Sequence, residues 1–272
     1  ERQGISMNIP SPPSSAVARW GLKTKIILSM LLVGLLPLVV GLGMAFWQGS
    51  QEIREVSGES FKALATEAAR TLDLLVAEEI AHTARIANDP HIIRELERRR
   101  DAASNSKGTM DVERRWMSRN STIVKSITDN PFSALLHEYF SGVHSPPGQL
   151  LPQVVRSSTK MLFLTDARGT LVGTMTSHPT FRHHEARWWQ GAFNKGVGKL
   201  YIEDIYFDDK VNAYVFTISI PVMDSLRHGA VGVLHRVIDA KDFFSPATHA
   251  IRFGKTGHVM LIDTNGIVIS CP

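Results

Sequence analysis

The 272-residue sequence contains a single cysteine, Cys271, and this scarcity excludes two kinds of site. One thiol cannot form an internal disulfide framework, and it cannot supply the paired ligands of a Cys-rich zinc site. The chain also lacks a His-Glu-x-x-His motif and a Ser/His/Asp nucleophile elbow. His183, His184 and Glu185 lie near His178, but adjacent histidines point in different directions. The sequence therefore predicts no metal, no other cofactor and no catalytic site.

Charge is absent from the 22 residues Ile26–Trp47, which are long enough to span a bilayer core of about 30 Å. A secretory signal would have a shorter apolar core with a small-x-small cleavage site behind it, and residues 46–48 form a poor site. Arg19, Lys23 and Lys25 place the N-terminus in the cytoplasm. We therefore predict an uncleaved anchor in the bacterial cytoplasmic membrane, with the lipid bilayer as a partner and the following residues in the periplasm.

A large basic excess is also absent from most of the chain. Four basic residues and one acidic residue within the first 25 positions account for +3 of the formal net charge of +4. The positive charge therefore indicates membrane topology rather than a surface for a polyanion. No nucleic-acid partner is predicted.

The sequence contains one short pattern that occurs twice. Residues 161–174 (MLFLTDARGTLVGT) and 259–270 (VMLIDTNGIVIS) each run from an apolar strand through Asp-x-x-Gly into a second apolar strand. Asp initiates such a turn, and Gly adopts the positive φ that the turn requires. Asp166 and Asp263 are 97 residues apart, which predicts two related α+β lobes in tandem. Because the sequence stops soon after the second pattern, we expect a fragment of a longer protein.

The sequence between the apolar segment and the first pattern is helical. Residues 51–88 predict one long helix with an apolar stripe, from which Glu78 and Glu79 lie largely apart. Asp89 and Pro90 predict the N-cap and first residue of a second helix, which runs to about Arg100. The stripe consists of Phe61, Leu64, Ala68, Leu72, Leu75, Val76, Ile80 and Ala87. The following segments are predicted as a linker (101–110), a helix (111–128), a short helix (131–140) and a loop (141–152).

From residue 161 onward the pattern changes to short strands. The predicted strands are 161–165, 170–176, 199–207, 212–222 and 229–238, and the predicted helices are 184–194 and 240–251. The last three strands can meander antiparallel because short polar turns separate them. The predicted fold is α+β, with an N-terminal transmembrane helix, a long membrane-proximal helix, a five-stranded antiparallel sheet lobe and the start of a second such lobe.

Six local signatures occur in a characteristic order along this half of the chain. They are FLTDARGTLVGT, EARWWQGAF, GKLYIEDIYFDD, TISIPVMD, AVGVLHRVID and GKTGHVMLIDTNG. In this order they resemble the double Cache (dCache) extracytoplasmic sensor module of bacterial membrane receptors, over about Lys25 to Pro272. The resemblance implies PAS-like lobes that sense a small molecule for a chemoreceptor, a two-component sensor histidine kinase, or a membrane-bound cyclase or phosphatase. It implies no enzyme within these residues.

The resemblance divides the chain into five parts. They are a cytoplasmic tail (1–24), a transmembrane helix (25–48), a helical stalk region (49–160), a membrane-distal Cache lobe (161–252) and the truncated start of a membrane-proximal lobe (253–272). A ligand in the distal lobe is expected to act on the stalk helix. We expect that helix to pair with a second copy in a homodimer.

The resemblance also implies a ligand site in the distal lobe. Ala186 stands where amino-acid-binding members have an arginine that pairs with the ligand carboxylate, and Val237 stands where they have an aspartate. We therefore expect a small molecule other than a standard α-amino acid. The predicted ligand-binding residues are Phe181, Arg182, Arg187, Trp188, Trp189, Asp204, Tyr206 and Asp208.

Two of these predicted residues have different expected surroundings. Trp188 and Trp189 are adjacent on a helix, so they cannot share one face. Trp189 falls in a helical stripe with Ala192 and Phe193 and is predicted to lie in the core. Trp188 is then the better candidate for a pocket wall.

The polar residues of the third strand have two readings. Asp204, Tyr206 and Asp208 are predicted to alternate on one strand face, either as an exposed surface or as a row lining a pocket for a cation or an amine. Arg182 and Arg187 either bind the ligand or lie on the surface. Two other functions also stay open: a membrane-anchored periplasmic enzyme, most plausibly metal-assisted, and a structural module that presents a dimerising helix to a partner protein.

Overall fold

The computed structural model describes residues 21–102, 106–141, 158–176, 180–250, 252–253 and 257–271. The predicted N-terminal tail up to residue 20, the predicted loop from residue 142 and His178 lie outside these residues. The first helix, α1 (Leu22–Ala87), joins the predicted membrane segment and the predicted stalk helix without a break. Among the described residues, α1 is the one helix long and apolar enough to cross a membrane. The chain divides after Lys62 into two compact units, and the second contains all that follows.

In the second unit, the last part of α1 packs through the predicted stripe. Ala68 is buried, and Leu72 and Ile80 are among the half-buried residues that contact the main core. The prediction that Glu79 lies off the stripe is wrong, because this side chain is only 1% exposed. Its position depends on a partner outside the helix, which periodicity within α1 cannot reveal.

Within residues 88–141, apart from the undescribed 103–105, four shorter helices follow: α2 (Pro90–Ala102), α3 (Ser106–Met117), α4 (Ser121–Thr128) and α5 (Pro131–Ser141). The predicted cap of α2 is confirmed, since the Asp89 carboxylate accepts hydrogen bonds from the backbone N–H groups of His91 (2.7 Å) and Ile92 (3.3 Å). The single helix predicted over 111–128 is wrong. Arg119 adopts a positive φ of 54°, and Asn120 caps a new helix by accepting from Ile123 N–H at 3.3 Å. The predicted linker is also too long, because α3 already begins at Ser106.

Five strands form one antiparallel sheet in the order β2-β1-β5-β4-β3, which confirms the predicted α+β lobe. They are β1 (Thr159–Asp166), β2 (Leu171–Thr174), β3 (Tyr201–Asp208), β4 (Ala213–Met223) and β5 (Ala230–Asp239). Helix α6 (Arg187–Phe193) lies between β2 and β3 in sequence, and α7 (Ala240–Ala250) follows β5. Two short two-stranded sheets complete the described chain: β6 (Arg252–Phe253) with β7 (Gly257–His258), and β8 (Leu261–Ile262) with β9 (Val268–Ser270).

The large sheet is covered on both faces. Residues opposite each other on paired antiparallel strands share a face, so the strand register assigns each side chain to one of the two faces of the sheet. We call them the stalk face and the α6 face, after the helices that cover them. The stalk face packs on α1, α2, α5 and α7. It carries Leu162, Leu164, Phe216, Ile218, Leu234, Arg236 and Ile238. The α6 face packs on α3, α4 and α6. It carries Phe163, Thr165, Val215, Thr217, Ser219, Val233, His235 and Val237.

The two predicted hairpins have the same turn. Asp166 Oδ1 accepts from the backbone N–H groups two and four residues later at 2.8 and 2.9 Å, and Asp263 Oδ1 does the same at 2.8 and 2.7 Å. Gly169 and Gly266 have φ angles of 72° and 84°, a region that glycine adopts without strain. The hairpins nevertheless belong to different sheets. This separation excludes one extended sheet, and the division into two lobes stays a prediction.

Candidate ligand-binding site

The candidate site lies on the α6 face, where α6 crosses the central strands. Helix α6 begins after Ala186, whose backbone is extended (φ −68°, ψ 136°) and whose methyl group provides no cap. Trp189 is buried and donates from Nε1 to Thr165 Oγ1 at 3.1 Å, and its ring stacks on Phe193 with centroids 4.5 Å apart. The prediction that Trp189 lies in the core is confirmed.

Trp188 contacts a different group of residues. Its ring lies nearly parallel to His235, with centroids 3.8 Å apart and an interplanar angle of 23°. Phe163 meets the Trp188 ring edge-on at 5.6 Å, and His183 lies at 5.1 Å. Trp188 stays half-buried, whereas the two histidines and Phe163 are buried. We call Phe163, His183, Trp188 and His235 the aromatic cluster.

His235 is held in place from the sheet side. Ser219, directly opposite on β4, lies 2.8 Å from His235 Nδ1 through its Oγ atom. Sequence reasoning missed His235, Ser219 and His183. Val237 occupies the position at which the family has an aspartate, and His235 lies two residues away on the same face of β5. The match at Val237 could therefore have pointed to His235.

The polar row on β3 differs from the prediction by one residue. A β-bulge between Glu203 and Tyr206 places Glu203 opposite Thr217 and Tyr206 opposite Val215, so both lie on the α6 face. The predicted alternation of Asp204 with Tyr206 is therefore wrong, and Glu203 takes its place in the row. Asp204 is exposed, and its carboxylate accepts from the backbone N–H of the next residue at 2.8 Å.

Glu203 and Tyr206 are ionisable groups with shifted pKa values. Burial raises the pKa of the Glu203 carboxyl, while the charge of Arg187 and the hydroxyl of Thr217 oppose the rise. Burial, followed by the charges of Glu203 and Asp208, raises the pKa of Tyr206 to about 12. The exposed Arg187 at the start of α6 therefore acts through its charge on the Glu203 carboxyl of β3. Carboxylates and an aromatic ring such as that of Trp188 are groups that can bind a cation or an amine.

The remaining predicted residues have structural partners. Phe181 is buried next to Trp116 of α3, with ring centroids 6.4 Å apart. Arg182 Nε donates to the Glu113 carboxylate at 2.9 Å, in an ion pair that is about one-third exposed. Asp208 accepts from Lys210 N–H at 2.9 Å within the β3–β4 turn. A ligand contact at each of these positions stays a prediction.

A second concave region lies at the β3–β4 turn, where these strands meet β9. Its volume is about 400 Å³. It is lined by Phe207, Asn212, Ala213, Tyr214, Asp239, Lys241, Val268, Ile269 and Cys271. No residue of the aromatic cluster lines it, so a substitution such as one at Lys241 can serve as a control for substitutions in the cluster. Within the described part of the chain, no group of three or more His, Cys, Asp or Glu side chains is placed to hold a metal ion.

No family model and no curated protein matches the sequence. The chain is similar in structure to the ligand-binding domain of the Pseudomonas fluorescens chemoreceptor CtaA in complex with L-serine, at 17% identity and a TM-score of 0.34, over 61% of this chain and 68% of that one. It is also similar to the sensory domain of the Campylobacter jejuni chemoreceptor Tlp3 with isoleucine bound, at 14% identity and a TM-score of 0.36, over 73% and 72% of the two chains.

A third similar structure is the ligand-binding domain of the Pseudomonas aeruginosa PAO1 amino-acid chemoreceptor PctC in complex with GABA. The identity is 14% and the TM-score 0.35, over 60% of this chain and 70% of that one. All three structures are chemoreceptor sensory or ligand-binding domains, the class of protein that the sequence motifs resemble.

Proposed function

We propose that this chain is the sensory part of a membrane-anchored signal-transduction receptor, and that it binds a small molecule on the α6 face of the sheet. The observation that carries the proposal is the placement of Glu203, Tyr206 and Asp208 on the α6 face of β3, the face on which the half-buried Trp188 ring packs against His235. Ligand sites combine an aromatic or apolar wall with a few convergent polar groups and perturbed pKa values.

The proposed ligand carries a positive charge. Glu203 and Asp208 flank Tyr206 on one strand face, and two carboxylates on one face favour a cation or an amine. Ala186 offers no guanidinium to a ligand carboxylate, so the expectation that the ligand is not a standard α-amino acid stays a prediction. Two of the similar receptor domains were solved with α-amino acids, so amino acids belong in the test.

The proposed receptor is anchored through the first part of α1. Residues 26–47 are uncharged and exposed in the isolated chain, and a bilayer would cover them. A periplasmic sensor and a homodimer are consistent with this arrangement and belong to the same proposal. The domain limits at residues 24, 48, 160 and 252 also stay predictions.

The test is a thermal-shift panel on the full chain in lipid nanodiscs. The panel contains primary amines, polyamines, quaternary ammonium compounds, dicarboxylates and the twenty standard amino acids. A ligand at about 100 times its Kd adds about 2.7 kcal/mol to the free energy of unfolding. This corresponds to a rise in Tm of about 5–10 °C at about 2–4 °C per kcal/mol.

Variants assign any shift to the site. Trp188→Ala and Glu203→Gln should each remove most of the shift, whereas Lys241→Ala in the second concave region should retain it. A shift from amino acids would overturn the expected ligand class but not the site. A panel without any shift that depends on Trp188 and Glu203 would overturn the proposed function and favour the structural module.

A further inference from the structure

The stalk face of the sheet contains one charged side chain among apolar neighbours. Arg236 lies on β5 between His235 and Val237, and its side chain points to the opposite face from theirs. It is fully buried (0% exposed) among core residues such as Leu234 and Ile238.

The guanidinium of Arg236 contacts α1 and β1. Its Nη1 atom donates to the Glu79 carboxylate and, at 3.3 Å, to Thr83 Oγ1, both on α1. Its Nε and Nη2 atoms donate to Thr159 Oγ1 on β1 at 3.0 and 2.8 Å. Arg236 therefore joins β5 to the stalk part of α1 and to the neighbouring strand.

Stability alone does not account for this buried ion pair. Desolvation of two charges offsets most of their attraction, and well-packed apolar residues of similar volume are often as stable or more stable. Burial raises the pKa of Glu79, with Arg236 opposing the rise, which agrees with a desolvated pair. The contact does supply a directional link, because the planar guanidinium has fixed donor geometry.

We propose that the Glu79–Arg236 ion pair couples the candidate site to α1. This inference rests on the proposed function and names the residues that transmit the signal. Trp188 stacks on His235, and Arg236 is the next residue on the same strand. A displacement of β5 at the aromatic cluster therefore moves the guanidinium on the stalk face. The guanidinium in turn moves Glu79 and its helix. Arg236 and Glu79 act as positioning residues and do not touch the ligand.

A coupling cycle that needs no ligand tests this inference. Trp188→Ala is introduced into the native full chain in nanodiscs and into a chain that carries Glu79→Met and Arg236→Met, which we call the Met/Met background. Hydrogen exchange is measured for amides of residues 76–87. In the native background, Trp188→Ala should change exchange in this segment by at least about fivefold, the lower end of typical coupling between sites. In the Met/Met background the same change should alter exchange by less than about twofold.

A matched control separates coupling from general loosening. Lys160 on β1 pairs with Asp239 at 3.1 Å but does not contact α1 through this pair. Lys160→Met should therefore leave the fivefold response intact. Equal responses in the native and Met/Met backgrounds, or no response in the native chain, would overturn the inference.

A milder variant covers the case in which the Met/Met chain does not fold. Thr83→Val/Thr159→Val is isosteric and removes two hydroxyl groups that hold the guanidinium. The response to Trp188→Ala should then fall by at least about twofold, and an unchanged response would overturn the inference. If a ligand is confirmed but the hydrogen-exchange response is the same in both backgrounds, the role of the ion pair is rejected and the proposed function stands. If no compound in the panel shifts the Tm, the proposed function is rejected, whatever the hydrogen exchange shows.

Discussion

The two faces of the five-stranded sheet are built from the same strands but have different chemistry. On β4, Phe216 and Ile218 point to the stalk face, while Thr217 and Ser219 point to the α6 face. All four side chains are buried. The stalk face forms a continuous apolar core with four helices, and the α6 face carries hydroxyl groups, His235 and Glu203 within smaller apolar clusters. We therefore expect most of the stability to come from the stalk face, and we propose that a polar ligand binds on the α6 face.

The largest expected effect tests where stability resides. Leu234→Ala removes a fully buried side chain from the stalk face and should lower the free energy of unfolding by about 2–5 kcal/mol. The adjacent Val233 on the α6 face is equally buried but smaller. Val233→Ala removes two methyl groups and should cost about 1.6 kcal/mol at about 0.8 kcal/mol each. Chemical unfolding of both variants measures the losses, and an equal loss for each carbon atom removed would contradict the division between the faces.

A smaller effect is expected from the hydrogen bond that holds α6 to the sheet. Thr165 Oγ1 accepts from Trp189 Nε1 at 3.1 Å and donates to Val233 O at 3.1 Å, and Thr165 is fully buried. Thr165→Val keeps the shape but leaves the indole N–H unsatisfied, which costs about 1–3 kcal/mol.

Two controls define the Thr165 result. The Tm of the full chain and the near-ultraviolet signal of its tryptophans report the change. Thr165→Ser keeps the hydroxyl and should recover most of the lost stability. If Thr165→Val is as stable as the native chain, the Trp189 hydrogen bond does not fix α6.

The succession of strands along the chain and both hairpins could be predicted because their signals are local, whereas the pairing of β1 with β5 depends on distant residues and was not predicted. Asp166 and Asp263 each organise a turn through their own backbone neighbours, so the Asp-x-x-Gly pattern contains the information. Helix caps such as Asp89 are local in the same way. The break at Asn120 was missed because helical periodicity continues on both sides of it, and the positive φ at Arg119 has no strong sequence signal.

The candidate site could be predicted only in part, because its remaining residues depend on contacts between elements. The bulge in β3 moved Asp204 out of the row and put Glu203 into it, and a bulge is visible only against the opposing strand. All ten residues of β5 are buried, so burial does not distinguish its two faces. His235 and Arg236 therefore became informative only when α6 and α1 were in place.

The smallest expected effect is a loss of stability at high pH that comes from two tyrosines, one on each side of the sheet. Tyr139 packs against the main core and donates to Asp89 Oδ2 at 2.7 Å, and Tyr206 belongs to the acidic row. Burial is the largest cause that raises the pKa of each phenol to about 12. The unfolded chain loses these protons near pH 10 while the folded chain keeps them. The unfolded state then binds fewer protons, so stability is full below pH 10 and falls as the pH rises towards 12.

Replacement by phenylalanine separates the two contributions. Tyr206→Phe should reduce the alkaline loss and leave stability near pH 7 almost unchanged, since this side chain is 37% exposed and solvent screens its neighbours. Tyr139→Phe should also reduce the alkaline loss, but it should cost about 1 kcal/mol at pH 7 because the hydrogen bond to Asp89 is lost. Thermal unfolding between pH 7 and pH 12 measures both effects. An unchanged alkaline slope in both variants would show that neither phenol keeps its proton in the folded chain between pH 10 and pH 12. The acidic row on β3 would then be more open to solvent than the raised pKa of Tyr206 indicates.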